Sequence, residues 1–426
     1  MSRLDVASIK ADFPLLSRRI RDDRALVYLD SGATSQKPYS VLEAEREYYE
    51  RHNAAAHRGA HQLAEEATIA FEDARRTIAT FVGAEASEMV FTKNATESLN
   101  LLAHAFSSAS AKASHGRWQG DPRLVIGPGD SIVVTEMEHH ADLVPRQELA
   151  DKTGAELRWI PITADGRLQY EAIANVIDSS TRIVSFVHQS NLLGTINDVQ
   201  RLVTAARAVD AFVFLDACQS IPHMPINVGD LGVDAVAWSG HKMLGPTGVG
   251  CLWATQELLE IMPPFLTGGS MIEMVTMERS TFAKAPQKFE AGVPNIAQAV
   301  GLAAAVRYLE AVGMHRIAEH EHVLAEAALA SLQEIDGVQI VGPKTADNRG
   351  SAISFVVRDL HPHDVGQVLD AHGVAVRVGH HCAWPTCRRL GVPATTRATF
   401  YLYNDLNDVA DLAAGVRAAQ QFFKVG

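Results

Sequence analysis

The 426-residue chain has no long apolar run and no excess of positive charge. No hydrophobic segment approaches the roughly 20 residues that a membrane-spanning helix needs, so we expect no membrane association. The 38 lysines and arginines stand against 50 aspartates and glutamates, which gives a net charge of −12. Because proteins that bind nucleic acids cluster basic residues, this balance argues against a nucleic-acid partner. The first ten residues also lack the basic-then-apolar pattern of a secretory signal, which favours a cytoplasmic location.

Cysteine is scarce as well, with four residues in the whole chain: Cys218, Cys251, Cys382 and Cys387. They are too few and too scattered for a disulfide framework, which predicts a reducing compartment where a thiol stays free to react. Cys218 and Cys251 lie in apolar segments and are predicted to be inert core residues. Cys382 instead lies among glycine, histidine and arginine residues.

Short β-rich apolar segments alternate with helical patterns from Leu26 onward. This alternation is typical of an α/β fold with a mostly parallel sheet covered on both faces. In such sheets ligands bind beyond the carboxyl ends of the strands. Strands are predicted at Ser131–Thr135, Ile183–Val187, Phe212–Leu215, Ala235–Trp238 and Val249–Trp253.

The chain length and the pattern changes predict three parts. Residues 1–25 form an N-terminal arm that packs with the small domain. Residues 26–295 form a large cofactor-binding domain, and residues 296–426 form a small C-terminal domain that carries Cys382. Residues 107–124 show no periodicity and are predicted to be a surface loop, and Phe265–Ser280, rich in Gly, Met and Thr, a mobile loop.

A lysine follows a predicted buried strand in the segment Ser239-Gly240-His241-Lys242. Partial desolvation at a strand end favours the neutral, nucleophilic form of an amine, which suits imine formation with an aldehyde. The neighbouring glycines let the backbone approach a cofactor closely. Taken alone, the segment fits a surface lysine in a turn equally well.

Asp216 ends another predicted strand, one strand–loop unit before Lys242. A carboxylate at this place can pair with the protonated pyridine nitrogen of pyridoxal 5'-phosphate (PLP), which needs that charge to withdraw electrons. An Asp that caps the following helix is the alternative. The combination of Asp216 with Lys242 is more informative than either residue and predicts a PLP site.

Two further polar segments are candidates for the site, and the first of them follows the predicted strand Ser131–Thr135. In Glu138-His139-His140 an imidazole can stack on a flat ring and relay protons, although a structural histidine fits too. Ala95 and Thr96 lie at a predicted helix start, where backbone N–H groups and a hydroxyl can hold a phosphate. A plain helix cap is the alternative there.

The segment Arg377–Ala383 surrounds Cys382 with Gly, His and Arg, which is typical of a nucleophilic thiol. The spacing of its histidines with Cys382 and Cys387 matches no standard zinc pattern, so we expect no metal. Farther along, Arg397 lies beside a β-like run. A planar guanidinium is suited to clamp a substrate carboxylate, with a surface salt bridge as the alternative.

Together these segments resemble the SufS-type (group II) cysteine desulfurases, of the class V aminotransferase family and PLP fold type I. The likeness covers nearly the whole chain, and Arg377–Ala383 is its most diagnostic part. It implies a large domain with a mostly parallel seven-stranded sheet and a smaller α+β C-terminal domain. Other matching segments are Val27–Asp30, Ser35–Pro38, His57–His61, Gly127–Asp130, His188–Gly194, Ser239–Lys242 and Phe289–Gly292.

The resemblance also implies a role for each matching residue. Lys242 would hold PLP covalently, Asp216 would pair with its ring nitrogen, and Cys382 would carry sulfur as a persulfide. The other implied roles are His139 stacked on the ring, Gln219 at the ring hydroxyl, Ala95, Thr96, Ser239 and His241 around the phosphate, Asn191 and Arg397 at the substrate carboxylate, and Arg377 supporting the loop beside the substrate.

Three positions depart from the family pattern. Val293 stands where relatives usually have a Thr that reaches the phosphate of the neighbouring subunit. Ala95 replaces a Thr, which removes a second hydroxyl from the phosphate site. Arg146 stands where a Trp is frequent. The first two departures predict a phosphate held more by backbone N–H groups, or weaker retention of the cofactor.

The implied reaction converts L-cysteine to L-alanine and passes sulfane sulfur from Cys382 to an acceptor of the SufE or SufU type, for iron–sulfur cluster assembly. The resemblance also implies a homodimer. A selenocysteine lyase is a near alternative. A class V aminotransferase or a kynureninase-like hydrolase would need Lys242 and Asp216 but not Cys382, and a scaffold protein with a decayed site would need none of them.

Overall fold

The computed structural model describes residues 4–57 and 59–425. Met1–Arg3 of the predicted arm and Arg58 of the segment His57–His61 lie outside the described residues. Helices α1–α13 are Val6–Ala11, Tyr39–Glu47, Gln62–Phe81, Ala95–Ala113, His140–Thr153, Ile173–Val176, Val199–Arg207, Gln256–Ile261, Ile296–Val312, Met314–Gln333, Pro362–Ala371, Trp384–Arg389 and Leu406–Phe423. Strands β1–β17 are Arg19–Ile20, Arg24–Ala25, Val27–Tyr28, Met89–Thr92, Ser131–Thr135, Glu156–Ile160, Thr181–Val187, Phe212–Asp216, Ala235–Ser239, Gly250–Ala254, Ile272–Val275, Ser280–Phe282, Val338–Val341, Ala352–Val357, Val374–Ala375, Arg377–Gly379 and Thr395–Thr399.

The main sheet has seven strands in the order β4-β10-β9-β8-β7-β5-β6. Neighbours from β9 to β6 pair in parallel, whereas β10 runs antiparallel to both β4 and β9. Strands β5, β9 and β10 are buried on both faces along their whole length. Continuous apolar runs of this kind are typical of parallel strands covered by helices on both sides. The predicted α/β fold with a mostly parallel sheet is confirmed.

The parallel direction of β9, β8, β7 and β5 brings the ends of four neighbouring strands to one edge of the sheet. They end at Ser239, Asp216, Val187 and Thr135. The polar segments predicted from the sequence follow directly after these residues. The topology therefore gathers them where ligands of open α/β sheets bind.

A second, antiparallel sheet of four strands has the order β13-β14-β17-β16 and packs against α10, α11 and α13. Its strand β16 leads directly into the segment with Cys382. The N-terminal part of the chain reaches this sheet through a bridge between Asp30 and Thr399 of β17. It also pairs β3 in parallel with β15 as a separate two-stranded sheet, and Lys10 contacts Asp408 of α13 at 3.4 Å. The four-stranded sheet brings the C-terminal residues to the edge of the main sheet.

Helix α9 is almost entirely apolar and packs against α2 and α3. Close packing requires glycine at one point, since a Cβ atom on Gly301 would lie 2.7 Å from Cγ of Pro246. Within the described ranges no single helix is long and apolar enough to cross a bilayer. Only α9 and α10 together, bent by 76°, meet that test of length and composition.

Two local predictions need correction. The surface loop predicted at residues 107–124 is wrong, because α4 continues to Ala113 with Ala109 buried, and Pro122–Leu124 forms a helical turn with Leu124 buried. Alanine and serine, which fill this end of α4, permit a helix but give no hydrophobic periodicity to detect. Part of Phe265–Ser280 belongs to a hairpin of β11 and β12 rather than to an irregular loop.

Candidate functional site

A cavity of about 210 Å³ lies at the carboxyl edge of the main sheet. Its lining joins residues that are far apart in the sequence, from the N-terminal segment to the loop after β16. Of the predicted site residues it contains Ala95, Thr96, His139, Asn191, Asp216, Gln219, Ser239, His241, Lys242, Arg377 and Cys382. Arg397 is the one predicted site residue that does not line it.

Lys242 is held by the helical turn Gly240–Lys242 that follows β9. The N–H of Gly240 donates to the carbonyl of Val249 at 3.0 Å. The carbonyl of His241 accepts from the backbone N–H of Ser35 at 3.0 Å and from the hydroxyls of Ser35 and Thr34 at 3.1 Å. These bonds fix the turn from two sides, so the Lys242 side chain projects from a rigid base.

Asp216 supplies a buried carboxylate, with 3% of the residue exposed. Its Oδ1 accepts from the N–H of Cys218 at 2.9 Å in a turn rather than at a helix start, and the residue lines the cavity. Burial raises the pKa of this carboxyl, and the positive charge of Lys242 opposes the rise. A ligand with an N–H⁺ group would relieve that cost of burial.

His139 presents a neutral imidazole to the cavity. Burial and the positive charge of Lys242 lower its pKa to about 3. Its Nδ1 accepts from the N–H of Ala141 at 3.0 Å, which caps helix α5. Because Nδ1 accepts, the proton of the neutral ring belongs to Nε2, which is free to donate.

The start of helix α4 forms another wall. Asn94 caps the helix by accepting from the N–H of Glu97 at 3.1 Å. The N–H of Ala95 donates to Oγ of Ser239 at 2.9 Å, and Thr96 follows at the surface. A Cβ atom on Gly250 would lie 2.5 Å from Cα of Asn94, so glycine is needed for β10 to approach the helix start. Hydroxyls and a helix N-terminus at one place suit an anionic group.

Cys382 reaches the cavity from the loop after β16. His381 and Cys382 both have left-handed backbone, with φ of 52° and 57°. The carbonyl of Cys382 accepts from the N–H of His140 at 2.7 Å, and Nδ2 of Asn191 donates to the carbonyl of His381 at 2.6 Å. Nη2 of Arg377 lies 4.0 Å from the Cys382 sulfur, which places a fixed cation beside the half-buried thiol.

Arg397 lies behind this loop and is fully buried. It donates to the carbonyl of Asn191 at 2.9 Å and contacts Asp30 at 3.3 Å. Burial lowers its pKa to about 10, although the charge of Asp30 opposes the shift. The surface salt bridge considered as an alternative is wrong for Arg397, because its ion pair is internal.

Several lining residues were not found from the sequence: Gly32, Ala33, Asn94, Ala141, Val187 and Cys218. Gly32 and Ala33 come from the segment after β3, and Nε2 of Gln219 donates to the carbonyl of Gly32 at 2.8 Å. The run of small residues Ser31-Gly32-Ala33-Thr34 indicates a turn but carries no chemical signature. Only the folded chain shows that this turn covers the cavity.

Two departures from the family pattern have different surroundings. Val293 is 73% exposed and lines a separate depression of about 150 Å³ beside Lys93 and Asn295. Arg146 is fully buried and forms an ion pair with Asp142 at 2.9 Å. Neither residue lines the cavity that contains Lys242.

Comparisons with known proteins agree with this architecture. The family model described as "Aminotransferase class-V" matches residues 27–412. The chain is 54% identical to a probable cysteine desulfurase 2 of Mycobacterium leprae, over 99% of this chain and 98% of that protein. It is also 54% identical to a probable cysteine desulfurase of Streptomyces coelicolor, with the same coverage.

Among solved structures, the apo cysteine desulfurase of Thermococcus onnurineus matches with a TM-score of 0.89 at 38% identity, over 99% of both chains. The family match and these relatives extend over nearly all of the sequence. The chain belongs to the class-V aminotransferase family.

Proposed function

We propose that this protein is a PLP-dependent cysteine desulfurase that converts L-cysteine to L-alanine and transfers the sulfur through Cys382. One observation carries the proposal: the Cys382 thiol lines the same cavity as the Lys242 amine and the buried Asp216 carboxylate. An aminotransferase or a kynureninase-like hydrolase has no use for that thiol. The relatives named cysteine desulfurase, at 54% identity over 99% of the chain, support the same activity.

The donor set of the cavity fits PLP. The buried Asp216 carboxylate would face the ring nitrogen, Gln219 the ring hydroxyl, and Lys242 would hold the cofactor through its amine. Thr96, Ser239 and His241 would surround the phosphate near the start of α4, with Ala95 positioned by Ser239. When bound, PLP supplies an electron-withdrawing ring that stabilises negative charge at the substrate Cα.

The protein's own residues then have distinct tasks. Once the substrate amine has replaced it on the cofactor, the freed Lys242 amine would take the proton from the substrate Cα, and the neutral His139 ring would lie against the cofactor with its Nε2–H available to donate. The Cys382 sulfur attacks the substrate sulfur, so an S–S bond forms while the substrate Cβ–S bond breaks. The electron pair of that broken bond stays with the carbon skeleton, which takes up protons and leaves as alanine.

Asn191 and two arginines form the proposed substrate-binding side. Oδ1 of Asn191 is buried without a hydrogen-bond partner in the described ranges, which suits a donor group of the ligand. Arg377 lines the cavity, and Arg397 lies directly behind Asn191. The two guanidinium groups, rather than the acceptor oxygen of Asn191, would supply the positive charge for the substrate carboxylate.

The assembly of the protein is part of the proposal. Met274, Val275, Met277 and Val293 are apolar side chains between 48% and 98% exposed, on the β11–β12 hairpin and beside the start of α9. Exposed apolar groups of this size mark contact surfaces, and a second copy of the chain would cover them in a homodimer. We expect the SufS-type subgroup and a sulfur acceptor of the SufE or SufU type, for iron–sulfur cluster assembly.

We also propose the three-part division into residues 1–25, 26–295 and 296–426. Support comes from the two separate sheets and from α9, which begins at Ile296. The arm contacts both parts, since the N–H of Tyr39 donates to the carbonyl of Asp12 at 2.9 Å and Lys10 contacts Asp408 at 3.4 Å. The four cysteines are all unpaired, which fits a reducing, cytoplasmic compartment.

The decisive experiment measures alanine and sulfide released from L-cysteine by the purified holoenzyme in the presence of a thiol reductant. We expect both products in equal amounts, and expect Lys242→Ala to lose both the products and the imine absorbance of the cofactor. The same assay with selenocysteine tests the lyase alternative. Transfer of the amino group to a 2-oxo acid, without sulfide, would overturn the proposal in favour of an aminotransferase.

A further inference from the structure

Four consecutive carbonyl groups of the turn Ser190–Gly194, which contains Asn191, accept hydrogen bonds from the second sheet and from residues 349–350, just before its strand β14. The carbonyl of Asn191 accepts from Nη1 of Arg397 at 2.9 Å, and that of Leu192 from Oγ of Ser354 at 2.6 Å. The carbonyl of Leu193 accepts from Nη2 of Arg349 at 3.0 Å, and that of Gly194 from the N–H of Gly350 at 2.8 Å. We call this arrangement the carbonyl clamp.

The backbone is shaped for this close approach. Gly194 has φ of 73°, and a Cβ atom there would lie 2.6 Å from the carbonyl oxygen of Ala352. Gly342, which faces the turn, has φ of 112°, and a Cβ atom added there would lie 3.1 Å from the carbonyl oxygen of Leu193. Because a side chain at Gly194 would force the turn away from the second sheet, the close contact depends on glycine there.

Arg349 contributes a buried positive charge to the clamp. It is 3% exposed, and within the described ranges its guanidinium donates to the carbonyls of Pro343, Leu193 and Ala352 but pairs with no carboxylate. A buried cation without a counter-charge is unfavourable unless its hydrogen bonds compensate. A guanidinium spreads its donors in a plane, so it can hold three carbonyls from different segments at once.

The side chain of Asn191 connects the clamp to the loop that carries Cys382. Nδ2 of Asn191 donates to the carbonyl of His381 at 2.6 Å, and His381 precedes Cys382. His381 is itself fixed by a contact between its Nε2 and Oγ1 of Thr395 at 2.9 Å. The N–H of His140 also holds the loop through the Cys382 carbonyl. Any displacement of the turn Ser190–Gly194 therefore moves one of the anchors of the Cys382 loop.

We propose that Ser354 and Arg349 are positioning residues that act through Asn191 to hold the Cys382 loop against the cavity. The inference rests on the proposed function for its meaning in the reaction, but the arrangement itself is independent of turnover. Neither residue lines the cavity. Their effect on substrate binding and on the thiol is transmitted by the carbonyl clamp.

Ser354→Ala tests the inference in the holoenzyme. Without the hydroxyl, the Leu192 carbonyl loses its donor and the turn relaxes away from β14. We expect the rate of Cys382 alkylation by iodoacetamide, followed by peptide mass spectrometry, to rise about fivefold, which corresponds to the loss of one hydrogen bond. The KM for L-cysteine is expected to rise by a similar factor because Asn191 shifts. Arg349→Lys keeps the positive charge but loses the planar set of donors, and should change both quantities in the same direction.

Ser351→Ala is the matched control. Ser351 is also buried and lies just before the same strand, and its Oγ contacts the carbonyl of Phe400 and a carboxylate oxygen of Glu321, both at 2.8 Å, rather than the clamp. It should leave alkylation and KM within about 1.5-fold of the unaltered protein, since both partners of its hydroxyl lie outside the clamp. Equal changes in Ser351→Ala and Ser354→Ala, or no change in Ser354→Ala and Arg349→Lys, would overturn the inference. If the unaltered protein releases no alanine from cysteine, the proposed function fails, while the alkylation comparison still decides the positioning role.

Discussion

Two regions of the cavity each present a thiol, and the two thiols have different surroundings. We call the residues at and just after the ends of β5, β7, β8 and β9 the floor of the cavity. Cys218 lies in the floor after β8, buried beside Asp216, and burial together with that carboxylate raises the pKa of its thiol to about 12. Cys382 lies on the loop after β16, half-buried, on left-handed backbone and 4.0 Å from the Arg377 guanidinium. Both thiols line the cavity that contains Lys242. Greater exposure, a neighbouring cation and a position on a loop distinguish the thiol that can act as a nucleophile.

The largest expected effect comes from removing each thiol in turn. Cys382→Ala should lower the multiple-turnover release of alanine from L-cysteine by at least about 100-fold, because no group remains to accept the sulfur. Cys218→Ala should keep at least half of the activity, since Ala retains the backbone N–H that bonds Asp216. Alanine formation is measured with the acceptor or a reductant present.

The two variants also show how this comparison could fail. Equal losses in Cys218→Ala and Cys382→Ala would mean that the floor thiol takes part in the reaction. Full activity in Cys382→Ala would mean that sulfur leaves without a protein nucleophile, as expected for a lyase acting on selenocysteine.

The second prediction concerns the carboxylate in the floor. Asp216→Asn keeps the size of the side chain and the acceptor for the Cys218 N–H but removes the negative charge. We expect kcat to fall on the order of 100-fold, as for the loss of a preorganised electrostatic partner in a buried site. Steady-state kinetics with a titration of added PLP separate a loss of rate from a loss of cofactor. Normal kcat in the saturated variant would contradict the role of Asp216.

The residues of the floor were largely predictable from the sequence, whereas the residues around the Cys382 loop were only partly predictable. β5 coincides with its predicted limits, and β8 and β9 differ from theirs by one residue at the end, because buried strands with abrupt polar ends give a strong local signal. Asp216, His139 and Lys242 each stand just after such a strand. Parallel topology then forces them together, so their sequence positions already imply a shared site.

Contacts between distant segments gave no comparable signal. Arg397 was predicted as a substrate clamp, but no local pattern indicates that it lies buried behind Asn191. The carbonyl clamp joins residues 190–194 to residues 349–354 and 397 through backbone carbonyls, which every residue possesses. The end of α4 was missed for a different reason, since its Ala and Ser residues lack amphipathic contrast.

The third prediction concerns the pH dependence of stability, because burial of a histidine in the floor disfavours its protonated form. His188 follows β7, and burial lowers the pKa of its imidazole to about 4, from 6.5. Between these values the unfolded chain binds the proton and the folded chain does not, so stability is lost as the pH falls from 6.5 towards 4. His188 alone should reduce the free energy of unfolding by about 2 kcal/mol between pH 7.5 and pH 5.

Urea unfolding of His188→Gln at the two pH values measures this contribution. The variant should lose that part of the pH dependence, whereas His322→Gln, at an exposed histidine, should retain it. An unchanged pH dependence in His188→Gln would show that the buried imidazole accepts a proton in the folded protein. His381 on the Cys382 loop resembles His188 in this respect, because burial lowers the pKa of its imidazole to about 2.

The smallest expected effect comes from a second buried carboxyl group, which contrasts with Asp216. Burial and the nearby charge of Asp142 raise the pKa of Glu138 well above its ordinary value, which favours the neutral form of this group. Its Oε1 accepts from the N–H of Val187 at 3.1 Å, and Gln keeps that acceptor. Glu138→Gln should therefore change the free energy of unfolding by less than about 1 kcal/mol and leave kcat nearly unaltered.

Asp142→Asn provides the contrast, because it breaks the buried ion pair with Arg146 and strands that cation, at an expected cost of about 3–5 kcal/mol. Both variants are measured by urea unfolding at pH 7. A cost for Glu138→Gln as large as that for Asp142→Asn would mean that Glu138 is ionised in the folded protein. A small cost would support a neutral Glu138. Of the three carboxyl groups, Asp216 is the one that lines the cavity, so it is the one available to a bound cofactor.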